Sequence, residues 1–148
     1  MPSAASQAPD PLAASYVQQD FDHSGLMQRL GAQLTQVLPG EVHITLPYSE
    51  HLTQHLGYFH AGATSAIADA AGSMAARSLL PADQTVVSVE FKINLMAPAV
   101  GEALEAVGRV VRQGRTLTVT QVDVYALKGS ERKPVALMQQ TLFNLPQP

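Results

Sequence analysis

One segment of this chain repeats at a helical step, and most of the patterned sequence after it repeats at a step of two. From Gly62 to Leu80, the residues Ala63, Ala66, Ile67, Ala70, Met74 and Ser78 recur every three or four positions. That spacing predicts a long helix turned by this face toward a core. Four strand-like runs follow: VVSVEFKINL, EALEAVGRVVRQ, TLTVTQVDVYAL and PVALMQQTLFNL. In the first, Val87, Val89, Phe91, Ile93 and Leu95 alternate with Ser88, Glu90, Lys92 and Asn94, which predicts one apolar and one polar strand face. Loop-type residues separate the runs at 96–101, 113–115 and 128–131. One helix followed by strands on short turns implies an α+β layout, with the helix against an antiparallel sheet.

Upstream of the long helix, LTQVLPGEVHITLP alternates around Pro39-Gly40 and reads as a hairpin. Before it, residues 21–32 place Leu26, Met27 and Leu30 on one face of a short helix, with Asp22 or Ser24 available as N-cap. Residues 1–15 hold three prolines and neither Lys nor Arg, and read as a disordered tail without the marks of a secretory signal. The remainder, 16–148, is expected to form one domain, since 148 residues with 46% hydrophobic side chains build one substantial core.

Charge narrows the range of partners. Nine Lys and Arg against twelve Asp and Glu, a net charge of −3, supply neither a basic field for nucleic acid nor a polybasic membrane anchor. No segment reaches the ~18 apolar residues of a spanning helix. Without cysteine, disulfides, thiolate catalysis and thiolate metal sites are all excluded. A cytoplasmic location is expected.

Within the long helix one carboxylate stands among small apolar residues. At about 100° per residue, Asp69 shares a stripe with Gly62, Ser65, Gly72, Ser73 and Ala76, roughly opposite Ile67 and Met74. A charge in such company is costly unless paired or used, which marks a candidate site. His51, His55 and His60 invite a metal reading. Pro47 and Gly57 bracket them, however, and no obvious ligand set is completed, so no metal is expected. Tyr58 and Phe59 are candidates to shape a pocket ahead of the helix.

Three stretches together resemble a known family: Gly57 to Asp69 (GYFHAGATSAIAD), Val87 to Ala99 (VSVEFKINLMAPA) and Val111 to Val119 (VRQGRTLTV). In their order and spacing they resemble the hotdog-fold acyl-CoA thioesterases of the phenylacetate-degradation type, over roughly Leu34 to Asn144. The resemblance implies a long central helix wrapped by a curved antiparallel sheet. It also implies protomers joined edge to edge, with a dimer as minimum, a tetramer expected, and active sites at the dimer interface. The family's catalytic carboxylate falls on Asp69, acting on an acyl-CoA thioester as nucleophile or as general base toward water. Its His-Gly-Gly becomes His60-Ala61-Gly62, with the Ala61 N–H facing the thioester oxygen. A helix start suits that task, because its free N–H groups and dipole favour developing negative charge. An Asn that orients the thioester is replaced by Gln54, which keeps donor and acceptor at a longer reach, and His60 is a candidate to support that amide. Ser88 takes the place of a serine that positions water in some relatives. Arg112 and Arg115, on either side of the Gln113-Gly114 turn, stand where relatives contact the phosphates of coenzyme A. No cofactor beyond the substrate's own coenzyme A is implied.

Each residue also has a plainer reading. Asp69 could be held by hydroxyls across a dimer, His60 could be a satisfied histidine at the helix start, Ser88 a polar residue on a wet strand face, and the two arginines a solvated turn. Two other functions stay open. One is an acyl-thioester dehydratase using His55 and Asp69, which stand fourteen positions apart as in hotdog dehydratases. The other is a hotdog protein that binds acyl-CoA without turning it over.

Overall fold

The computed structural model describes residues 11–148. Two short helices, α1 (Pro11–His23) and α2 (Gly25–Leu30), precede the hairpin of β1 (Gln33–Leu38) and β2 (Glu41–Pro47). A 3-10 turn at Glu50–Leu52 leads to the long helix α3 (Ala61–Arg77), and β3 (Gln84–Leu95), β4 (Ala103–Gln113), β5 (Leu117–Lys128) and β6 (Glu131–Pro146) follow. The six strands form one antiparallel sheet in the order β1-β2-β4-β5-β6-β3, and α3 packs against β2, β4, β5, β6 and β3. This is the hotdog architecture expected. Bulges in the β1, β3 and β4 pairings and an irregularity in the β5–β6 register strengthen twist and bend, which lets one sheet curl around one helix.

The N-terminal part departs from expectation. Residues 11–15, read as tail, form the first turns of α1, while residues 1–10 lie outside the described residues. The short helix expected over 21–32 is two helices, broken at Ser24, whose side chain makes no capping bond. Met27 is buried, but Leu26 is 57% exposed. What fixes α1 is a charge in α3: Arg77 is buried, its Nε donates to Asp20 Oδ2 at 3.0 Å, Nη1 donates to the Leu80 and Pro81 carbonyls, and the guanidinium lies over the Tyr16 ring. A buried cation survives only with such a complete set of partners.

The face that α3 buries is rotated from the periodic prediction. Ala63 and Thr64, Ile67 and Ala68, Ala71 and Gly72, then Ala75 and Ala76 are buried, whereas Ala66, Ala70 and Met74 are partly covered. The reason is close approach rather than hydrophobicity. A Cβ on Gly108 of β4 would lie 2.3 Å from the Ala71 carbonyl oxygen, so the sheet touches the helix backbone at its alanine and glycine positions. Gly72 and Ala76, expected beside Asp69, therefore face the sheet.

A bulge also reassigns the faces of β3. The pairing passes from Ser88↔Leu142 directly to Glu90↔Thr141, which leaves Val89 unopposed. Strict alternation puts Ser88 opposite Phe91; the bulge puts both on the face of buried Leu142 and Gln140, toward α3. Val87 goes to the other face with Phe143. As an edge strand β3 leaves Val87, Val89, Phe91 and Leu95 exposed.

Candidate active site

Asp69 sits midway along α3, half-buried, and is anything but isolated. Ser88 Oγ donates to its Oδ1 at 2.6 Å, and the Nε2 of fully buried Gln140 donates to the same oxygen. The Gln140 amide also reaches Ser88 Oγ at 3.0 Å, Ser73 Oγ at 3.4 Å and the Asp69 carbonyl at 3.4 Å, while its Oε1 accepts from Thr120 Oγ1 at 3.0 Å. Three elements thus converge on one carboxylate oxygen: β3 through Ser88, β6 through Gln140 and, behind it, β5 through Thr120. Asp69 Oδ2 has no hydrogen-bond partner among the described residues and is available to a water or a carbonyl carbon.

A second set gathers at the start of α3. His60 is the N-cap: its Nδ1 accepts from the Gly62 N–H at 2.8 Å, which places the proton of the neutral ring on Nε2. The Ala61 N–H has no partner among the described residues. Ala61 lines a cavity of about 380 Å³ with Gln54, Tyr58, Phe59, Thr64, Met96 and Val135. Gln54 Oε1 accepts from the Leu56 N–H, so the loop holds the acceptor end of the amide and leaves its NH₂ without a partner among the described residues. Gln54 and Ala61, two polar positions expected near the thioester, therefore share one mostly apolar chamber. His60 does not join them. Its ring and Gly62 line a different cleft, about 290 Å³, with Leu26, Leu30, Leu52 and Ala66, and His60 makes no hydrogen bond to Gln54.

The remaining expected residues lie elsewhere. Arg112 and Arg115 are exposed, with no partner for either guanidinium among the described residues. The bulge after Val110 pairs Arg112 with Val119, which places it on the sheet face away from α3. The turn carrying Gly114 and Arg115 is fixed by Asn144, whose Nδ2 donates to both of their carbonyls and whose Oδ1 accepts from Thr118. His55 is exposed and lines neither cavity, so within one chain the dehydratase pair His55 and Asp69 is not assembled. Among the described residues no cluster of His, Asp and Glu suits a metal ion, and the three histidines of the loop are not gathered.

Gln140, Thr120 and Asn144 were missed from the sequence, and Ser73 was placed on the Asp69 stripe without a role. A signal was available: Thr118, Thr120, Gln140 and Asn144 occupy inward positions of strands whose neighbours on that face are Val122, Val124, Met138 and Leu142. Polar residues in a core register need partners, and such partners mark a site.

The Asp69 and Ala61 sets do not meet in one protomer. Eight residues of helix at 1.5 Å each separate them by about 12 Å along the axis. A thioester oxygen held at Ala61 leaves its carbon far from the Asp69 of the same chain.

Comparison with known proteins bears on the family and the fold. The sequence profile of the thioesterase superfamily matches residues 56–133. A thioesterase family protein from Silicibacter pomeroyi has the same fold with a TM-score of 0.89 and 39% identity, over 91% of this chain and 99% of that one. Human acyl-coenzyme A thioesterase 13 is 34% identical over 94 residues, 62% of this chain and 65% of that protein. The PaaI protein of the E. coli phenylacetic acid degradation operon shares the fold at a TM-score of 0.83 and 18% identity, covering 93% of this chain and 96% of that one. The chain belongs to the thioesterase superfamily, and with its hotdog fold it is a thioester hydrolase.

Proposed function

We propose that this protein hydrolyses acyl-CoA thioesters, of aryl or medium-chain acids, at a site completed by two copies of the chain. One observation carries this reading: a carboxylate with one free oxygen and a free helix-start N–H stand on the same helix but about 12 Å apart. A single copy offers each half without the other. The exposed apolar edge of β3, with Ser88 and so Asp69 beside it, supplies the surface on which a second copy would continue the sheet. A dimer is then the working unit, and a tetramer belongs to the same reading by likeness to the family.

In this mechanism the acyl group occupies the cavity of Ala61 and Tyr58, and its carbonyl oxygen takes the Ala61 N–H with help from the Gln54 amide. The Asp69 Oδ2 of the opposing copy either removes a proton from water as that water attacks the carbonyl carbon, or attacks the carbon itself. Charge gathers on the oxygen at the positive end of a helix, where it is stabilised most. Collapse breaks the carbon–sulfur bond. On the general-base route coenzyme A leaves as the thiol with the proton that Asp69 took from water. On the nucleophilic route it leaves behind an acyl–Asp69 anhydride, which a water then hydrolyses to the free acid, its protons passing to the thiolate and to solvent. No metal or redox group is asked for. Arg112 and Arg115 are left for the phosphates of coenzyme A, as free cations at the surface. The likeness to human acyl-coenzyme A thioesterase 13 supports the substrate class, and a cytoplasmic location belongs to the same reading.

The test is thiol release from a panel of aryl- and straight-chain acyl-CoAs, by the wild-type chain and by Asp69→Asn. Hydrolysis of at least one class, with a loss of about 10³-fold in the variant, is expected. Undiminished turnover by the variant removes Asp69 from the chemistry. Saturable binding without thiol release from any acyl-CoA makes the chain a binding protein instead.

A further inference from the structure

Gln140 is fully buried in the sheet, yet its amide lies within 3.4 Å of four oxygens on two other elements: Asp69 Oδ1, the Asp69 carbonyl, Ser73 Oγ and Ser88 Oγ. An amide has two N–H hydrogens, so these oxygens compete for them, and the carboxylate is the strongest acceptor. The orientation of the amide follows from chemistry. An ionised carboxylate only accepts, so the NH₂ end must face Asp69, and Oε1 then turns to the Thr120 hydroxyl, which donates to it. Space for this arrangement is reserved in α3 itself. A Cβ at Gly72 would lie 2.1 Å from Gln140 Oε1 and 2.8 Å from Thr120 Oγ1. The glycine sits mid-helix, where it is less favourable than alanine, and the Gln140 amide takes up the room it leaves.

We propose that Gln140 is a positioning residue for hydrolysis: from β6 it fixes Asp69 Oδ1 and Ser88 together, so that Oδ2 alone is presented to water or thioester. This role rests on the reading of Asp69 as the reacting carboxylate. Ser88 could not do it unaided, because it stands on an exposed edge strand and its own hydroxyl is steered by the same amide. With Gln140 removed, the carboxylate rotates about its last torsion and its two oxygens exchange roles.

Steady-state kinetics of Gln140→Met, close in length but without the amide, tests the proposal. A kcat loss of about 10- to 10²-fold with KM changed less than about twofold is expected, since misplacing a reacting group by about an ångström costs that much. Gln140→Glu adds a readout that packing alone does not move. Its introduced carboxyl can donate to Asp69 only while protonated, so its rate relative to wild type should be highest at the acid end of the range and fall as pH rises. In an Asp69→Asn background, Gln140→Met should cost little more, because the two changes break one arrangement. Should Gln140→Met fail to fold, Gly72→Ala carries the test, since it displaces the amide while favouring the helix, and it should lower kcat in the same way.

A folded Gln140→Met with wild-type kcat, or an equal further loss in the Asp69→Asn background, overturns the positioning role. If Asp69→Asn itself turns over normally, the functional reading falls instead. If Asp69→Asn is inactive and Gln140→Met is not, the functional reading stands and only the role of Gln140 is lost.

Discussion

The two halves of the site are built on opposite principles. Around Asp69 the side chains are named and tied: Ser88, Ser73, Gln140 and Thr120 hold one another, and two of them, Gln140 and Thr120, are wholly buried. Around Ala61 the group proposed to act is a backbone N–H, and its surroundings are an open, mostly apolar chamber. The first half is specified by residue identity, and a single substitution destroys it. The second is specified by where a helix begins, so it survives many substitutions and falls to those that remove the N–H.

That contrast is broken most sharply by proline. Ala61 is the first residue of α3, the position where proline fits a helix, and His60 has φ −64° and ψ 138°, the extended backbone a following proline requires. Ala61→Pro therefore deletes the one N–H and leaves the fold. A kcat loss of about 10²- to 10³-fold with an unchanged melting temperature is expected from removing an oxyanion donor, whereas Ala61→Ser should be nearly silent. Full activity in Ala61→Pro removes the helix start from the mechanism. Mixing inactive Asp69→Asn chains with inactive Ala61→Pro chains sharpens the point. A mixed dimer carries one site with both defects and one with neither, so about a quarter of wild-type activity should return. No recovery means that the two halves do not come from different copies.

The same contrast governs what could be read in the sequence. The long helix, the hairpin at Pro39-Gly40 and the order of elements along an α+β chain follow from period and turn residues, and all are present. Asp69 stood out because a carboxylate among alanines needs an explanation, and Ala61 because its neighbours resemble a family motif. Gln140 and Thr120 showed in the sequence only as polar residues in an apolar register, and what they bond to was illegible for a physical reason. Nothing local marks a strand residue as hydrogen-bonded to a helix 71 positions away, and only the folded register brings Gln140 to Asp69. Ser88 was assigned to the polar face because alternation was assumed unbroken, and a single unopposed residue at Val89 reversed it. Bulges of this kind leave no reliable trace in a period of two.

A smaller effect separates the two arginines. Both are exposed and without a side-chain partner among the described residues, but the bulge after Val110 turns Arg112 away from the helix side, while Arg115 rides at the tip of a turn pinned by Asn144. Contact with phosphate should therefore depend more on Arg115. Arg115→Ala is expected to raise KM for an acyl-CoA severalfold with kcat unchanged, and Arg112→Ala by less, both differences shrinking as salt is raised. Asn144→Ala should mimic Arg115→Ala by loosening the turn. Equal and salt-insensitive KM values across all three would place the phosphates elsewhere.

The smallest expected effect lies on the outer face of the sheet, remote from both halves. There His43 Nε2 meets Glu41 Oε1 at 2.7 Å and its Nδ1 meets Glu105 Oε1 at 3.3 Å, while Arg109 bridges Glu41 to Asp123. Burial tends to raise the Glu41 carboxyl, but the hydrogen bond from His43 and the Arg109 guanidinium outweigh it and hold the group below its ordinary value of 4.5. A carboxyl depressed in the folded state adds stability that is fully present above its unfolded value and lost as pH falls through the folded one. The window is thus below about pH 4.5, and for a partly exposed pair the amount is under about 1 kcal/mol. Glu41→Gln should flatten the acid side of the melting-temperature profile by that amount and leave thiol release near neutral pH unchanged. The same acid slope should appear in Ala61→Pro and Ala61→Ser, which change no titratable group, because the helix start does not touch this network. A different slope in either variant would mean that the outer face and the site are coupled through the sheet.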